Sequence, residues 1–228
     1  MDAYEIFFKE FNINPDSLVE FGIRHTIEIP EEVVKREWDI LKERIEGYGN
    51  QPVYIRGAGR DAKTTELYFG LLKKLFPNGV FVKDPTNNAA PKKLLEQCTG
   101  FKRSSTNVVK RYERITNYQV THIFGRTKNP FTFTAPWNVV YLPKVMDPFT
   151  GHESNGGMTE RFTSEFQSYF YEKNRRFIEE YNNKMEGIEE EIIKYISGID
   201  GITVEGFSAN QLERFRNNVR VEFSKIIL

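Results

Sequence analysis

The feature that most restricts the fold of this chain is a long run of helix-type hydrophobic spacing near its C-terminus. From Met158 to about Ile196, large apolar side chains recur at intervals of about four and seven residues, which places them on one face of a helix. We predict that Gly187 divides this run into two helices, because glycine weakens a helix interior. A capping-box sequence at 208–211 (Ser-Ala-Asn-Gln) then predicts the start of a last helix.

The remainder of the chain mixes helical and strand patterns. A short amphipathic helix is predicted in the first ten residues, and a second helix opens at Pro30. In the middle, a strand at 52–55, a helix at 64–76 and a strand at 80–82 indicate an α/β unit. We therefore predict an α+β fold within a largely helical scaffold.

Composition excludes several classes of protein. With 39% hydrophobic and 14% aromatic residues, the chain is expected to be globular and folded. A single cysteine, Cys98, excludes an internal disulfide and a cysteine-rich zinc site. No apolar run approaches the roughly 18 residues of a membrane span, and the first 30 residues do not resemble a signal peptide. We expect a cytoplasmic protein with no membrane association.

The charges are unevenly distributed although their sum is zero. Residues 51–128 contain 15 Lys and Arg against 5 Asp and Glu, whereas residues 1–40 contain 10 acids and 4 bases. Phosphate binding depends on the local potential, so the basic middle of the chain predicts a nucleic-acid surface. Ordinary solvated helix faces are the alternative explanation of these charge runs.

The chemically informative stretch surrounds His122. The sequence Thr-His-Ile-Phe-Gly-Arg-Thr-Lys-Asn at 121–129 is followed by Asn138, sixteen positions after the histidine. We predict a β-hairpin with strands at 118–123 and around 131–134, and a new element starting at Asn138. Imidazole suits a base for phosphodiester hydrolysis at neutral pH, and an amide oxygen suits a hard cation.

This arrangement resembles the active-site hairpin and helix of the HNH, or ββα-metal, nucleases. The resemblance implies that His122 removes a proton from the attacking water and that Asn138 binds a divalent metal, Mg²⁺ or Mn²⁺. Arg126, in the turn, is expected to stabilise the charged transition state. The core is therefore predicted to be a ββα-metal hairpin and helix.

The pattern also departs from that family. Many members carry an Asp directly before the histidine, where this chain has Thr121. Asn138 is therefore expected to be the sole direct protein ligand of the metal. The third letter of the family pattern falls near Asp147, and His152 is a further candidate metal ligand at a looser spacing.

The residues upstream of the hairpin predict sequence-specific recognition of double-stranded DNA. Arginine commonly reads guanine, and asparagine commonly reads adenine, in the major groove. Base readers are expected on two loops, at Arg56, Arg60, Lys63, Asn87 and Asn88. Phosphate contacts are expected upstream from Lys92, Lys93, Lys102, Arg103, Lys110 and Arg111, and in the turn of the hairpin from Arg126 and Lys128. The whole resembles a type II restriction endonuclease of the HNH class, which implies a homodimer.

These expectations divide the chain into four parts. They are a helical N-terminal scaffold at 1–50, a basic α/β DNA-recognition lobe at 51–115, the ββα-metal catalytic core at 116–157, and C-terminal helices at 158–228 that pack on the core or a dimer partner. No internal repeat or low-complexity segment separates them.

Three alternatives remain open at this level. A non-catalytic DNA-binding protein would need only the basic middle and the helices. A P-loop-like nucleotide-binding protein is indicated by 57–64, although Ala62 replaces the second glycine and we find no later strand ending in Asp. A second nuclease class is indicated by the Asp-x-Lys spacing of Asp61 and Lys63, but its partner acid is missing.

Overall fold

The computed structural model describes residues 1–58, 63–103, 111–151, 154–199 and 206–228. The helices are α1 (Ala3–Glu10), α2 (Pro15–Arg24), α3 (Glu31–Ile45), α4 (Lys63–Leu75), α5 (Ala89–Thr99), α6 (Pro130–Phe133), a 3₁₀ helix (Lys144–Thr150), α7 (Gly157–Gly198) and α8 (Ala209–Glu222). The strands are β1 (Val53–Ile55), β2 (Phe81–Lys83), β3 (Phe101–Arg103), β4 (Glu113–Ile115), β5 (Tyr118–His122) and β6 (Val139–Pro143). This mixture of helix and strand confirms the predicted α+β class.

The strands of the described residues form three separate pairs. Strands β1 and β2 pair in parallel, as do β3 and β4, whereas β5 and β6 pair antiparallel. Helix α4 connects β1 to β2, which is the kind of crossover that a parallel pair needs. The predicted α/β unit in the middle of the chain is therefore present.

Helix α7 runs through the core without interruption. Its 42 residues pass straight through Gly187, so the predicted division into two helices is wrong. A glycine inside a helix costs only about 1 kcal/mol. Buried side chains hold both halves in the core, with Tyr181 and Met185 before the glycine and Ile192 and Ile196 after it. Tertiary packing therefore outweighs the local preference.

The predicted hairpin exists, but its second strand is β6 and not the segment around 131–134. Pro130–Phe133 form one helical turn, which Asn129 caps by accepting a hydrogen bond from the Phe131 N–H at 2.9 Å. Asn138 directly precedes β6, so the new element predicted to start there is present, but it is a strand and not the helix that the resemblance to the HNH nucleases implies. The order is strand, loop, strand and 3₁₀ helix.

One hydrophobic cluster joins all of these elements. It includes Phe8 of α1, Trp38 of α3, Leu71 of α4, Trp137 before β6 and Phe215 of α8. The capping box predicted at Ser208 is present at the start of α8. The hairpin is thus held between the N-terminal helices and the two C-terminal helices.

Candidate active site

His122 is the last residue of β5, and the loop that follows it fixes its ring. The Nε2 atom lies 2.9 Å from the carbonyl oxygen of Phe133, and the imidazole stacks on the Phe133 ring with an interplanar angle of 11°. Because a carbonyl oxygen can only accept, Nε2 donates and carries the hydrogen. In the neutral ring, Nδ1 is then the nitrogen that can take up a proton. The loop therefore sets both the orientation and the tautomer of His122.

Asn138 closes the same loop from the inside. Its side chain is fully buried, and its Oδ1 accepts a hydrogen bond from the Phe124 N–H at 2.8 Å. Its Nδ2 donates to the carbonyl oxygens of Gly125 and Thr132, at 3.2 and 3.0 Å. These contacts fit a residue that ties the two ends of the loop together. They do not fit direct ligation of a metal by the Asn138 amide.

Arg126 ties the loop to the C-terminal segment. It adopts the left-handed backbone conformation, with φ of 53°. Its guanidinium donates to the carbonyl oxygens of Phe124, Ser224 and Lys225, at 3.0, 3.1 and 2.8 Å. It also donates to the Ser224 hydroxyl at 3.1 Å. The structure thus places Arg126 in a bracing contact.

Lys128, predicted to contact DNA, is paired with Glu222 of α8. The Lys128 Nζ lies 2.5 Å from Glu222 Oε1, and the Lys128 backbone N–H donates to Oε2 at 2.9 Å. Asn129 donates from its side chain to the Glu222 carbonyl oxygen at 3.0 Å. Glu222 itself is 8% exposed. Helix α8 therefore braces the loop that orients His122.

Replacing Glu222 by glutamine is expected to lower the free energy of unfolding by about 1–2 kcal/mol, because the part-buried Lys128 loses its counter-charge while an acceptor remains. Urea unfolding measures this change. The matched control is Glu213→Gln on the same helix, whose exposed ion pair with Arg216 spans 3.3 Å and should contribute less than about 0.5 kcal/mol. Equal losses in the two variants would contradict the bracing role.

A basic cavity of about 620 Å³ lies between α5, β3, β5 and the 3₁₀ helix. An adjoining hollow adds Arg114. Glu96 and Asp147 are the acids of the larger cavity, and its basic side chains are Lys92, Lys93, Arg103 and Lys144. The positive excess makes this basic cavity suitable for the phosphates of a nucleic acid.

Two further predicted phosphate contacts lie beside the basic cavity. The Lys102 ammonium lies 5.4 Å, and the Arg111 guanidinium 4.7 Å, from the centre of the Tyr112 ring. Lys102 also lies 3.9 Å from Glu96, one of the acids that line the cavity. These cations extend the basic surface along β3 and β4.

The basic cavity reaches both faces of β5, because Gln119 and Val120 both line it. Alternate residues of a strand share a face, so Val120, which lines the cavity, points to the same side as His122. Tyr141 lies opposite Val120. Burial raises the pKa of the Tyr141 phenol; Glu96 adds to the rise, and Arg103 opposes it. His122 follows Val120 by two residues on the same strand, so it lies about 7 Å beyond the residue that lines the cavity.

Asp147 lies in the 3₁₀ helix, away from His122. Its Oδ1 accepts a hydrogen bond from Gln119 Nε2 at 2.6 Å. Gln119 precedes His122 by three residues, about 10 Å along a strand, and its side chain points to the opposite face. The structure does not bring Asp147 and His122 into contact. The other candidate ligand, His152, lies outside the described residues.

The predicted base readers follow the carboxyl ends of β1 and β2. The Gly57 N–H donates to Asn87 Oδ1 at 2.9 Å, which joins the loop of Arg56 to the loop of Asn87. Asn88 lines the basic cavity, and Lys63 is exposed at the start of α4. Arg60 and Lys110 lie outside the described residues.

The structure has only part of the topology that the P-loop-like alternative requires. Contrary to expectation, an Asp does follow a strand beside β1, since Asp84 comes directly after β2. Its carboxylate is fully buried and accepts from the N–H groups of Thr86, Ala89 and Ala90. Asp84 therefore caps α5, which does not fit a magnesium ligand. Ala62 and Asp61, on which the two remaining alternatives depend, lie outside the described residues.

Sequence reasoning missed two residues of the basic surface and the group that orients the histidine. Lys144 was not predicted because it follows β6, whose position was predicted wrongly. Arg114 is a base of the same basic stretch and could have been included from its charge. The Phe133 carbonyl gives no signal in a sequence, since every residue has one. Among the described residues, no group of three or more His, Cys, Asp and Glu side chains could hold a metal ion.

Fold and site together define an α+β protein in which a loop-oriented histidine lies beside a basic cavity. A family model described as "Uncharacterised protein PM1201" matches residues 29–228, and this chain belongs to that family. A relative from Pasteurella multocida (strain Pm70), "Uncharacterized protein PM1201", is 40% identical over 226 residues, which cover 99% of this chain and 97% of the relative. No solved structure matches. Within the described ranges, no helix combines the length and apolar character needed to cross a membrane.

Proposed function

We propose that this protein is a metal-dependent endonuclease that hydrolyses phosphodiester bonds of double-stranded DNA. The observation that carries the proposal is the 2.9 Å contact between His122 Nε2 and the Phe133 carbonyl oxygen. A base oriented by a third group, with its acceptor nitrogen fixed, is what general-base catalysis requires. The basic cavity, which begins two residues before His122 on β5, supports the choice of a polyanionic substrate.

In this proposal each of the following residues has a separate role in the reaction. His122 takes a proton from water at Nδ1 while the water oxygen bonds to phosphorus. The bond between phosphorus and the leaving-group oxygen breaks, and that oxygen takes up a proton from solvent. Lys92, Lys93 and Arg103 bind the flanking phosphates. Asn138 acts as a positioning residue, since it holds the loop that carries the Phe133 carbonyl oxygen.

The metal requirement is part of the proposal, with Mg²⁺ as the expected ion and Mn²⁺ as a substitute. Among the described residues, Asp147 is a part-exposed carboxylate that lines the basic cavity, which is the ligand type that such an ion prefers. It lies away from His122, however, so its position does not fit an ion that acts on the phosphate next to His122. The buried amide of Asn138 does not fit that role. A divalent cation, when bound, would neutralise charge on the leaving oxygen.

We extend the proposal to site-specific cleavage by a homodimer in the cytoplasm, in the manner of a type II restriction enzyme. The loops of Arg56 and Asn87 lie side by side at the ends of two parallel strands, and Asn88 connects them to the basic cavity. Such loops offer both kinds of base reader next to a phosphate surface.

The direct test is incubation of the purified protein with plasmid and phage DNA, with and without Mg²⁺. We expect discrete metal-dependent bands on a gel. A smear would retain the chemistry at His122 but remove the argument for site specificity. Intact DNA with both Mg²⁺ and Mn²⁺ would contradict the nuclease proposal.

Replacing Lys92 and Lys93 together by alanine is expected to weaken DNA binding and to reduce the slope of log affinity against log salt by about 2, one for each lost phosphate contact. Fluorescence anisotropy over a salt series measures both quantities. The matched control is Lys73→Ala with Lys74→Ala, an adjacent pair of exposed lysines on α4. A comparable loss in the control would indicate that binding depends only on overall charge.

A non-catalytic DNA-binding protein is the second candidate function. It is favoured by the internal contacts of Arg126 and Asn138, which occupy two of the three side chains expected to act in catalysis. It predicts that DNA binding requires the basic cavity and that His122 affects no reaction. DNA binding without metal-dependent cleavage in the wild-type protein would select it.

A further inference from the structure

A second cavity, of about 340 Å³, lies between α3, β1 and α5. It shares Ala89 and Lys93 with the basic cavity, so the two hollows adjoin at the first turn of α5. It also reaches Thr134, the residue after Phe133, whose carbonyl oxygen contacts His122. This second cavity therefore adjoins both the proposed phosphate surface and the loop that orients the proposed base.

The lining of the second cavity differs from that of the basic cavity. Leu41, Val53, Leu94 and the ring of Tyr54 supply apolar surface. The formal charges of its lining sum to zero, because the two bases Arg44 and Lys93 are matched by two acids, Glu37 and Asp84. Such walls suit a neutral ligand with apolar faces rather than a phosphate.

The rim of the second cavity carries polar groups that can both donate and accept. Gln51 and Gln97 contribute their amides, and Thr134 contributes a hydroxyl. Neither glutamine amide has a hydrogen-bond partner in the part of the chain that the structure describes. Amide groups of this kind can pair with the edge of a planar heterocycle.

We propose that the second cavity takes up an unstacked nucleobase of the nucleic acid whose phosphates occupy the basic cavity. A nucleobase has two flat apolar faces and an edge of donors and acceptors, which matches the Tyr54 ring and the Gln51 and Gln97 amides. The volume falls in the range of about 300–1,000 Å³ that is common for small-molecule pockets. The inference rests on the proposed function for the position of the phosphates.

Capture of one base beside Thr134 has a consequence for the neighbouring histidine. A base drawn into the second cavity would anchor its own nucleotide next to the loop that holds His122. The adjacent phosphate would then be fixed in one register relative to Nδ1. The second cavity would thus determine which phosphodiester bond is presented for cleavage.

The test compares the four deoxynucleoside 5′-monophosphates with deoxyribose 5-phosphate, which has the same charged group and no base. Isotope-labelled full-length protein is titrated with each, and the NMR signals of the Gln51 and Gln97 side-chain amides are followed. We expect at least one nucleotide to bind about tenfold more tightly than the sugar phosphate, because base-on-ring stacking contributes strongly at each base. Tyr54→Ala should abolish this preference. Tyr48→Ala, which removes a tyrosine that is 70% exposed and outside the cavity, should retain it.

Two results would overturn the inference. One is equal affinity of the wild-type protein for nucleotides and for the sugar phosphate, including no binding of either. The other is a preference that survives both Tyr54→Ala and Gln97→Trp, since the tryptophan would fill the cavity without disturbing the core. DNA cleavage is measured separately, so loss of the base preference alone leaves the nuclease proposal standing. A base preference without cleavage would retain the cavity assignment and remove the nuclease.

Discussion

Replacing His122 by alanine is expected to slow metal-dependent DNA cleavage by about 10²- to 10⁴-fold, the usual contribution of a positioned general base. The Phe133 carbonyl oxygen accepts from Nε2, so the substitution removes the oriented imidazole whose Nδ1 is the proposed proton acceptor. Affinity for DNA should be unchanged, because the lysines and arginines of the basic cavity supply that binding. Single-turnover cleavage and anisotropy on the same labelled duplex measure the two effects.

The matched control is His25→Ala. His25 also contacts an aromatic ring, with its centroid 4.7 Å from that of Phe21, but it lies at the end of α2, outside the loop. Its substitution should leave both cleavage and binding intact. Cleavage at the wild-type rate by His122→Ala would remove the central claim. Equal losses in the two histidine variants would indicate a general defect of folding.

Elements with a local chemical signal were predicted well from the sequence. The helix after Pro30 and the capping box at Ser208 depend on residues within a few positions of each other, and both are present. The basic stretch likewise predicted Lys92, Lys93 and Arg103 as a group, because its charge excess can be counted directly. The structure brings these three around one cavity.

The loop between β5 and β6 could not be predicted in the same way. Its residues Arg126 and Lys128 are cations in a glycine-containing turn, which is the usual composition of a phosphate-binding turn. In the structure their partners come from the other end of the chain, since Lys128 pairs with Glu222, 94 residues downstream. Spacing within the motif contains no information about such a partner.

The same long-range contacts explain why the second strand was misplaced. Phe131 and Phe133 alternate with polar residues, as strand residues do, but both are buried against the core within one helical turn. That turn is fixed by Asn129, whose side chain also donates to the Glu222 carbonyl oxygen of α8. Alternation therefore predicted a strand where a packed turn was required.

Replacing Asn138 by alanine is expected to lower the free energy of unfolding by about 3 kcal/mol or more. The substitution would leave the buried Phe124 N–H and the part-buried carbonyl oxygen of Gly125 without their partner, and the Thr132 carbonyl oxygen would keep only the Ala135 N–H. Each unsatisfied group costs about 1–3 kcal/mol. Denaturant unfolding monitored by circular dichroism measures the loss. Cleavage should also fall, because the Phe133 carbonyl oxygen would no longer be held against His122.

Asn138→Asp distinguishes the loop-closing role of Asn138 from the metal-ligating role that the sequence indicated. An aspartate keeps an acceptor for Phe124 but loses both donor bonds and buries a charge, so a loop-closing residue should tolerate it no better than alanine. A metal ligand should tolerate it well, since a carboxylate binds Mg²⁺ at least as tightly as an amide oxygen. We therefore expect both variants to be destabilised and slow, with the Mg²⁺ concentration for half-maximal rate unchanged in whatever activity remains. An active Asp variant with a shifted Mg²⁺ requirement would instead support Asn138 as a direct ligand of the metal.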